Sequence, residues 1–127
     1  DKFLDEEGNE LKAEIEKINA DIETLEMRKG AAIGIGPNMN RKITNSLIAL
    51  AKEKDIPHQF EIMGGSSGTD CWVIQVCREG VSTAVVSLPI KYMHSPVETM
   101  DISDADAIVS LLTEFTLKIG EGGFLDA

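Results

Sequence analysis

The residues that could carry chemistry in this sequence gather in two short stretches. The first runs from Tyr92 to Glu98 and contains His94, one of two histidines in the chain. Imidazole is a common metal ligand, and His94 follows an apolar stretch that predicts a buried strand. Tyr92 and Glu98 lie near enough along the chain to orient its ring, as the groups around a metal ligand do. His94 is therefore a candidate metal ligand, although a lone histidine is also typical of a surface or core position.

The spacing of the histidines does not complete a metal site. A catalytic zinc takes about three protein ligands. His58 lies at the start of a predicted strand, at the opposite end of the sheet from His94, and we interpret it as structural. From spacing alone, His94 lacks partners.

The second stretch is the glycine-rich sequence GGSSGTD, residues 64–70. Glycines before a helix let backbone N–H groups approach an anion. The simpler alternative, which we favour on local grounds, is a tight turn in which Thr69 or Asp70 caps the next helix. The stretch matches neither a P-loop nor a dinucleotide fingerprint, and its serines lack the G-x-S-x-G context of a hydrolase nucleophile.

Composition narrows the class of protein. The 127 residues fit one domain with a core, and the net charge of −10 argues against a nucleic-acid phosphate backbone as partner. No apolar run approaches a membrane span, and the first residues do not look like a secretory signal. The spacing of Cys71 and Cys77 disfavours a disulfide between them. Two unpaired thiols suggest a reducing compartment. We expect a cytoplasmic domain.

Residues 1–30 differ from the rest of the chain, and we predict that they form an amphipathic heptad helix segment ending at Gly30. Its apolar stripe consists of Leu11, Ile15, Ile18, Ile22 and Leu25. Such a helix could pack against its own domain or pair with another chain, and the sequence leaves both open.

Residues 31–127 alternate between strand and helix patterns. Strands are predicted at 31–36, 56–63 and 82–89, and helices at 41–55, 71–80 and from Ser103 onward, with a capping box at Ser103. This order predicts an α/β fold with a layered, mostly parallel sheet flanked by helices. Ligands in such sheets gather beyond the strand ends, which selects the loops 64–70 and 89–98.

The motifs in residues 31 to about 117 resemble one known family. They are Gly68-Thr69-Asp70 opening a helix, Gly-Val-x-Thr before a buried strand, and Tyr-x-His-Ser-Pro-x-Glu after it. In combination they are similar to the C-terminal half of the catalytic domain of glutamyl aminopeptidase-like metallopeptidases. This family includes the tetrahedral aminopeptidases and relatives labelled endoglucanases.

The resemblance implies a dinuclear, metal-dependent aminopeptidase that removes N-terminal residues from short peptides with metal-activated water. It implies two divalent ions, zinc or cobalt, and a large homo-oligomer. The family's histidine ligand falls on His94, with Tyr92 and Glu98 beside it. Gly68, Thr69 and Asp70 become substrate-side or supporting residues.

The same resemblance implies that most of the site is missing from this chain. The other metal ligands and the base glutamate of the family come from segments that precede the matched part, and Glu6-Glu7 lacks the strand that should come before such a pair. We therefore expect no catalytic residue in this chain, an inactive isolated chain, and an unpaired sheet edge where upstream strands belong. The alternative is a non-catalytic α/β association module that oligomerises through the heptad helix.

Overall fold

The computed structural model of the protein describes residues 8–9, 25–65 and 68–122. In chain order the strands are β1 (Ala31–Ile35), β2 (His58–Ile62), β3 (Val86–Ser87), β4 (Ile90–Lys91) and β5 (Thr99–Met100). The helices are α1 (Arg41–Glu53), α2 (Asp70–Ile74) and α3 (Ile102–Gly120). No helix within these described ranges is long and apolar enough to cross a membrane.

The main sheet has three strands in the order β2-β1-β3. β1 and β2 pair in parallel along their whole length, from Ala31 opposite His58 to Ile35 opposite Ile62. Helix α1 makes the crossover between them, as the alternation of strand and helix patterns predicted. The expected α/β class with helices beside a sheet is confirmed at this level.

The expectation of a mostly parallel sheet is wrong for the third strand. β3 pairs antiparallel to β1, with Ile33 opposite Val86. The segment that precedes β3 lies beside the C-terminal end of β1. There Thr83 O accepts from Asn40 N (2.7 Å) and Val85 O accepts from Gly34 N (2.8 Å). An apolar run specifies burial but not the direction of its neighbour, so this reversal could not be read from the pattern.

The core lies where α1 and α3 pack against each other and against β1. Its buried members are Ala31, Ile33, Leu47, Leu50, Ala51, Ile56, Ala107 and Leu111. One face of α1 contributes to this core, since Leu47 and Ala51 are buried and Ile43 and Ile48 pack partly against it. The helix begins after Asn40, whose side chain accepts from the backbone N–H groups of its first turn.

Two helices depart from their predicted form. The helix predicted over 71–80 is wrong beyond Ile74, since α2 covers only Asp70–Ile74, and Trp72, Val73 and Val76 are exposed. Helix α3 is capped by Asp101, which accepts from Ser103 N (2.8 Å), and not by Ser103 as expected. Asp and Ser both cap helices well, and the sequence offered both within two residues.

The chain enters β1 through a short segment that we call the N-terminal strap, residues 26–30. Residues 25–30 are not helical, so the predicted heptad helix does not extend to Gly30. Its stretch 11–24 lies outside the described residues. The Gln59 side chain bonds both backbone groups of Glu26, at 3.0 and 2.9 Å. At the other end of the strap, the buried carboxylate of Asp104 accepts from Arg28 N (2.8 Å) and Gly30 N (2.9 Å).

Candidate functional site

His94 lies in the loop of a β-hairpin formed by β4 and β5, which pair antiparallel with Ile90 opposite Met100. Ser95 makes hydrogen-bond contacts with residues on both sides of it in this loop. Its hydroxyl lies 2.5 Å from the carbonyl oxygen of Tyr92 and 2.7 Å from that of Val97, and its backbone N–H donates to Tyr92 O at 3.1 Å. The Ser-Pro of the motif is thus a turn-forming element, a role that the sequence reasoning missed although a serine before a proline signals a turn.

The backbone of the loop is held in an unusual conformation. Tyr92 has φ 63° and His94 has φ 62°, both in the left-handed region that residues other than glycine rarely adopt. Each such residue costs on the order of 1–3 kcal/mol, and residues held this way cluster at functional sites. The Glu98 carboxylate accepts from His94 N at 3.0 Å and helps to keep this shape. The loop therefore presents an exposed imidazole on a constrained backbone.

The two neighbours of His94 have different surroundings. The Glu98 carboxylate contacts the main chain of His94, so its observed contribution is to the backbone of the loop. Tyr92 is 68% exposed on the same loop. A role for either side chain in orienting the imidazole ring stays a prediction.

The glycine-rich loop leads into α2. Gly68 has φ +68°, which favours glycine, whereas a side chain at Gly64 or Gly65 would meet open space. Thr69 occupies the N-cap position without a side-chain capping bond, and Asp70 begins the helix. A helix of five residues has a weak dipole, so this geometry agrees with the turn interpretation and offers little to a phosphate.

The structure does not bring the two loops into one pocket among the described residues. Thr69 and Asp70 line a groove of about 660 Å³ beside α1, α3 and the run 82–86. Met93 of the hairpin lines a different groove, of about 460 Å³, with Leu25 and Met27.

Within the described ranges, no group of three or more His, Cys, Asp or Glu side chains could hold a metal ion. The Nδ1 atom of His58 lies 3.0 Å from Ile56 O, and its ring contacts the Phe60 ring edge-on, with the ring centroids 5.6 Å apart. These contacts agree with the interpretation of His58 as a structural residue. Cys71 is buried and Cys77 is exposed, and both are free thiols. The described residues by themselves do not fit a complete metal centre.

Comparison with known proteins identifies the family. The M42 glutamyl aminopeptidase family matches residues 11–111. The lysyl aminopeptidase of Pyrococcus furiosus is 45% identical over 86 residues, which cover 68% of this chain and 25% of that protein. The chain therefore belongs to the M42 glutamyl aminopeptidase family, as the motifs indicated, and the family match extends upstream of Ala31, beyond the stretch that the motifs cover.

Solved structures agree with this assignment. An aminopeptidase from the archaeon Desulfurococcus kamchatkensis superposes with a TM-score of 0.62 at 33% identity, over 69% of this chain and 26% of that one. A TET aminopeptidase from a marine sediment archaeon of the Thaumarchaeota gives a TM-score of 0.62 at 29% identity, over 68% and 25%. The chain thus spans about a quarter of the length of these relatives.

Proposed function

We propose that this chain forms one part of a metal-dependent aminopeptidase that removes N-terminal residues from short peptides. The observation that carries the proposal is the family match over residues 11–111. Its named relatives are aminopeptidases, and the peptide-cleaving activity is carried over to this chain from them. We further propose a cytoplasmic homo-oligomer as its working form.

In this proposal His94 supplies one metal ligand from the hairpin loop. Its position at an exposed loop, on a backbone constrained by Ser95 and Glu98, supports that role. The remaining ligands and the base glutamate come from parts of the catalytic domain outside the described residues. When bound, a pair of zinc or cobalt ions would polarise the scissile carbonyl and supply an activated water.

The other predicted site residues keep supporting roles. Glu98 holds the main chain of His94, and Tyr92 lies on the same loop, open to a substrate or to the rest of the domain. Gly68 precedes the start of α2, and Thr69 and Asp70 line the groove of about 660 Å³, where they would contact substrate or a neighbouring segment.

A chimera tests the proposed function. The stretch of this chain matched by the Pyrococcus furiosus lysyl aminopeptidase would replace its counterpart in that protein. Metal content and hydrolysis of lysyl-peptide substrates would then be measured. We expect an active chimera. His94→Ala should remove bound metal and lower activity at least about 100-fold, because a ligand to the reacting centre is lost.

His58→Gln is the matched control, because it changes the other histidine and should leave metal content and activity close to those of the parent chimera. A folded chimera that is inactive would show that this stretch is not a working part of an aminopeptidase. Full metal content and activity in His94→Ala would show that His94 is not a ligand. Elemental analysis of the isolated chain adds a further check, since two bound ions per chain would contradict ligands supplied from elsewhere.

A further inference from the structure

A polar pocket of about 400 Å³ lies directly after the carboxyl end of β1. Its walls are the turn that joins β1 to α1, the end of α2 with the turn after it, and the run that leads to β3. The carboxyl end of a strand in an α/β sheet is a common position for a ligand. The polar side chains that line the pocket are those of Asn38, Asn40, Gln75, Glu79, Ser82 and Thr83.

Hydrogen bonds hold two walls of this pocket together. Asn40 N donates to Thr83 O at 2.7 Å, and the Thr83 hydroxyl donates to Asn38 O at 3.3 Å. The side-chain Nδ2 of Asn40 donates to the Ser82 hydroxyl at 3.2 Å. The two walls are therefore joined before any ligand binds, which lowers the conformational entropy that binding has to remove.

The side-chain carbonyl of Asn38 takes no part in this network. Asn38 is 8% exposed, and its Oδ1 has no hydrogen-bond partner among the described residues. A buried carbonyl oxygen without a donor is destabilising, and such groups are rare in folded proteins. Because Asn38 lines the pocket and the terminal torsion of an asparagine has a broad range, rotation of the amide brings Oδ1 to a donor that enters.

Charge and the number of acceptors indicate the class of ligand. Glu79 is the one charged residue among the described residues that line the pocket, and its side chain is exposed. The Ser82 hydroxyl has a second lone pair besides the one that Asn40 uses. Together with Asn38 Oδ1 these groups offer acceptors for the three donors of an ammonium group. A calcium ion takes about six to eight oxygen ligands, and an anion would be repelled by the Glu79 carboxylate, so both match the pocket less well.

We propose that this pocket binds a primary ammonium group, with Asn38 Oδ1, the Glu79 carboxylate and the Ser82 hydroxyl as the acceptors. Two sources carry that chemistry, the side chain of a lysine and the N-terminus of a peptide. The inference goes beyond the proposed function and does not rest on it, because it concerns groups that all belong to this chain and is tested without any measurement of activity.

NMR spectra of the isotope-labelled 127-residue chain, recorded during titration at constant ionic strength, test the proposal. The probes are n-butylammonium, which stands for a lysine side chain, and glycinamide, which stands for a peptide N-terminus. We expect saturable shifts of the Asn38 side-chain amide and of the Glu79 and Ser82 backbone amides with at least one probe. The probe that binds more tightly identifies the source, and a lack of saturable shifts with both would overturn the proposal.

Three further probes serve as controls for the class of ligand. Tetramethylammonium carries the same charge without N–H donors, and the net charge of −10 attracts any cation, so equal shifts with tetramethylammonium would overturn the proposal. Calcium and acetate represent a metal ion and an anion. Tighter binding of either one at the same residues would show that the pocket selects a different class of ligand, which also overturns it.

Two variants test the acceptors. Glu79→Gln removes the charge of an exposed side chain at nearly constant size, so it should leave the fold intact and weaken binding of the ammonium probe at least about tenfold. Asn38→Leu removes the carbonyl acceptor at similar volume and should weaken binding by a similar factor. Glu53→Gln is the matched control, since Glu53 is an exposed glutamate of α1 outside the pocket lining, and it should leave binding unchanged. Unchanged affinity in Glu79→Gln would overturn the assignment even if Asn38→Leu failed to fold.

Discussion

Removing the Asp104 carboxylate should destabilise the protein more than any exposed substitution on the same helix. Asp104 is 1% exposed and lies in the first turn of α3, where its two oxygens accept from Arg28 N and Gly30 N at 2.8 and 2.9 Å. These bonds join residues more than seventy positions apart and hold the N-terminal strap against the start of the helix.

The expected magnitude follows from the two bonds. A hydrogen bond to a charged group contributes about 1.5–3 kcal/mol, and a buried donor left unpaired costs about 1–3 kcal/mol. Asp104→Ala removes both acceptors, so we expect a loss of about 3–5 kcal/mol in the free energy of unfolding. Asp104→Asn keeps one acceptor oxygen for Gly30 N and should lose about half as much.

Urea unfolding followed by circular dichroism at neutral pH would measure these losses. Asp106→Ala is the matched control, since Asp106 is an exposed aspartate two residues further along the same helix. It should change stability by less than about 0.5 kcal/mol. If Asp104→Ala cost no more than Asp106→Ala, the two bonds would not hold the strap, and this interpretation of the fold would be refuted.

Two further predictions concern the same end of the molecule. The side-chain and backbone hydrogen bonds from Ser103, and then the Arg28 guanidinium, hold the pKa of Asp101 below its usual 3.8. Because the pKa of Asp101 is lower in the folded state than in the unfolded state, the stabilisation is fully present above the unfolded-state pKa. It is lost as the pH falls through the folded-state pKa. When the free energy of unfolding is measured against pH, the wild type should therefore lose stability below about pH 4 and Asp101→Asn should not. An equal loss in both proteins would contradict the lowered pKa assigned to Asp101. Separately, Gly30→Ala should cost more than about 2 kcal/mol, because Gly30 has φ +92° and a Cβ there would lie 2.0 Å from the carbonyl oxygen that precedes β2. Gly64→Ala, whose Cβ would meet nothing within 4 Å, is the control for chemical denaturation and should stay within about 0.5 kcal/mol.

Several features could be predicted because their causes are local. β1, α1 and β2 appear where the apolar runs and the helical period placed them. Asn40 caps α1 directly before its predicted start at residue 41, and such a cap is local because it acts on backbone N–H groups two and three residues away. The position of His94 on a loop after the third apolar run follows from the same kind of local signal.

Other features depended on partners distant in sequence. The apolar run at 82–89 predicted a full strand, but only Val86 and Ser87 pair with β1, and they do so antiparallel. The stretch after Asp70 predicted a helix over 71–80, but the helix ends at Ile74, and Trp72 and Val76 are exposed. Apolar character favours burial of a side chain, but the residues that bury it come from another segment of the fold.

The sequence by itself determined the family and the identity of the candidate metal ligand, His94, because motifs such as Tyr-x-His-Ser-Pro-x-Glu consist of residues that lie close together in the sequence. Tertiary structure alone decided that Asp104 is a buried anchor for Arg28 and Gly30, and that β3 leaves an open edge among the described strands. The physical reason is distance along the chain. Capping and periodicity act over a few residues, whereas a buried carboxylate and a strand pairing take their partners from whichever distant segment the packed core brings beside them.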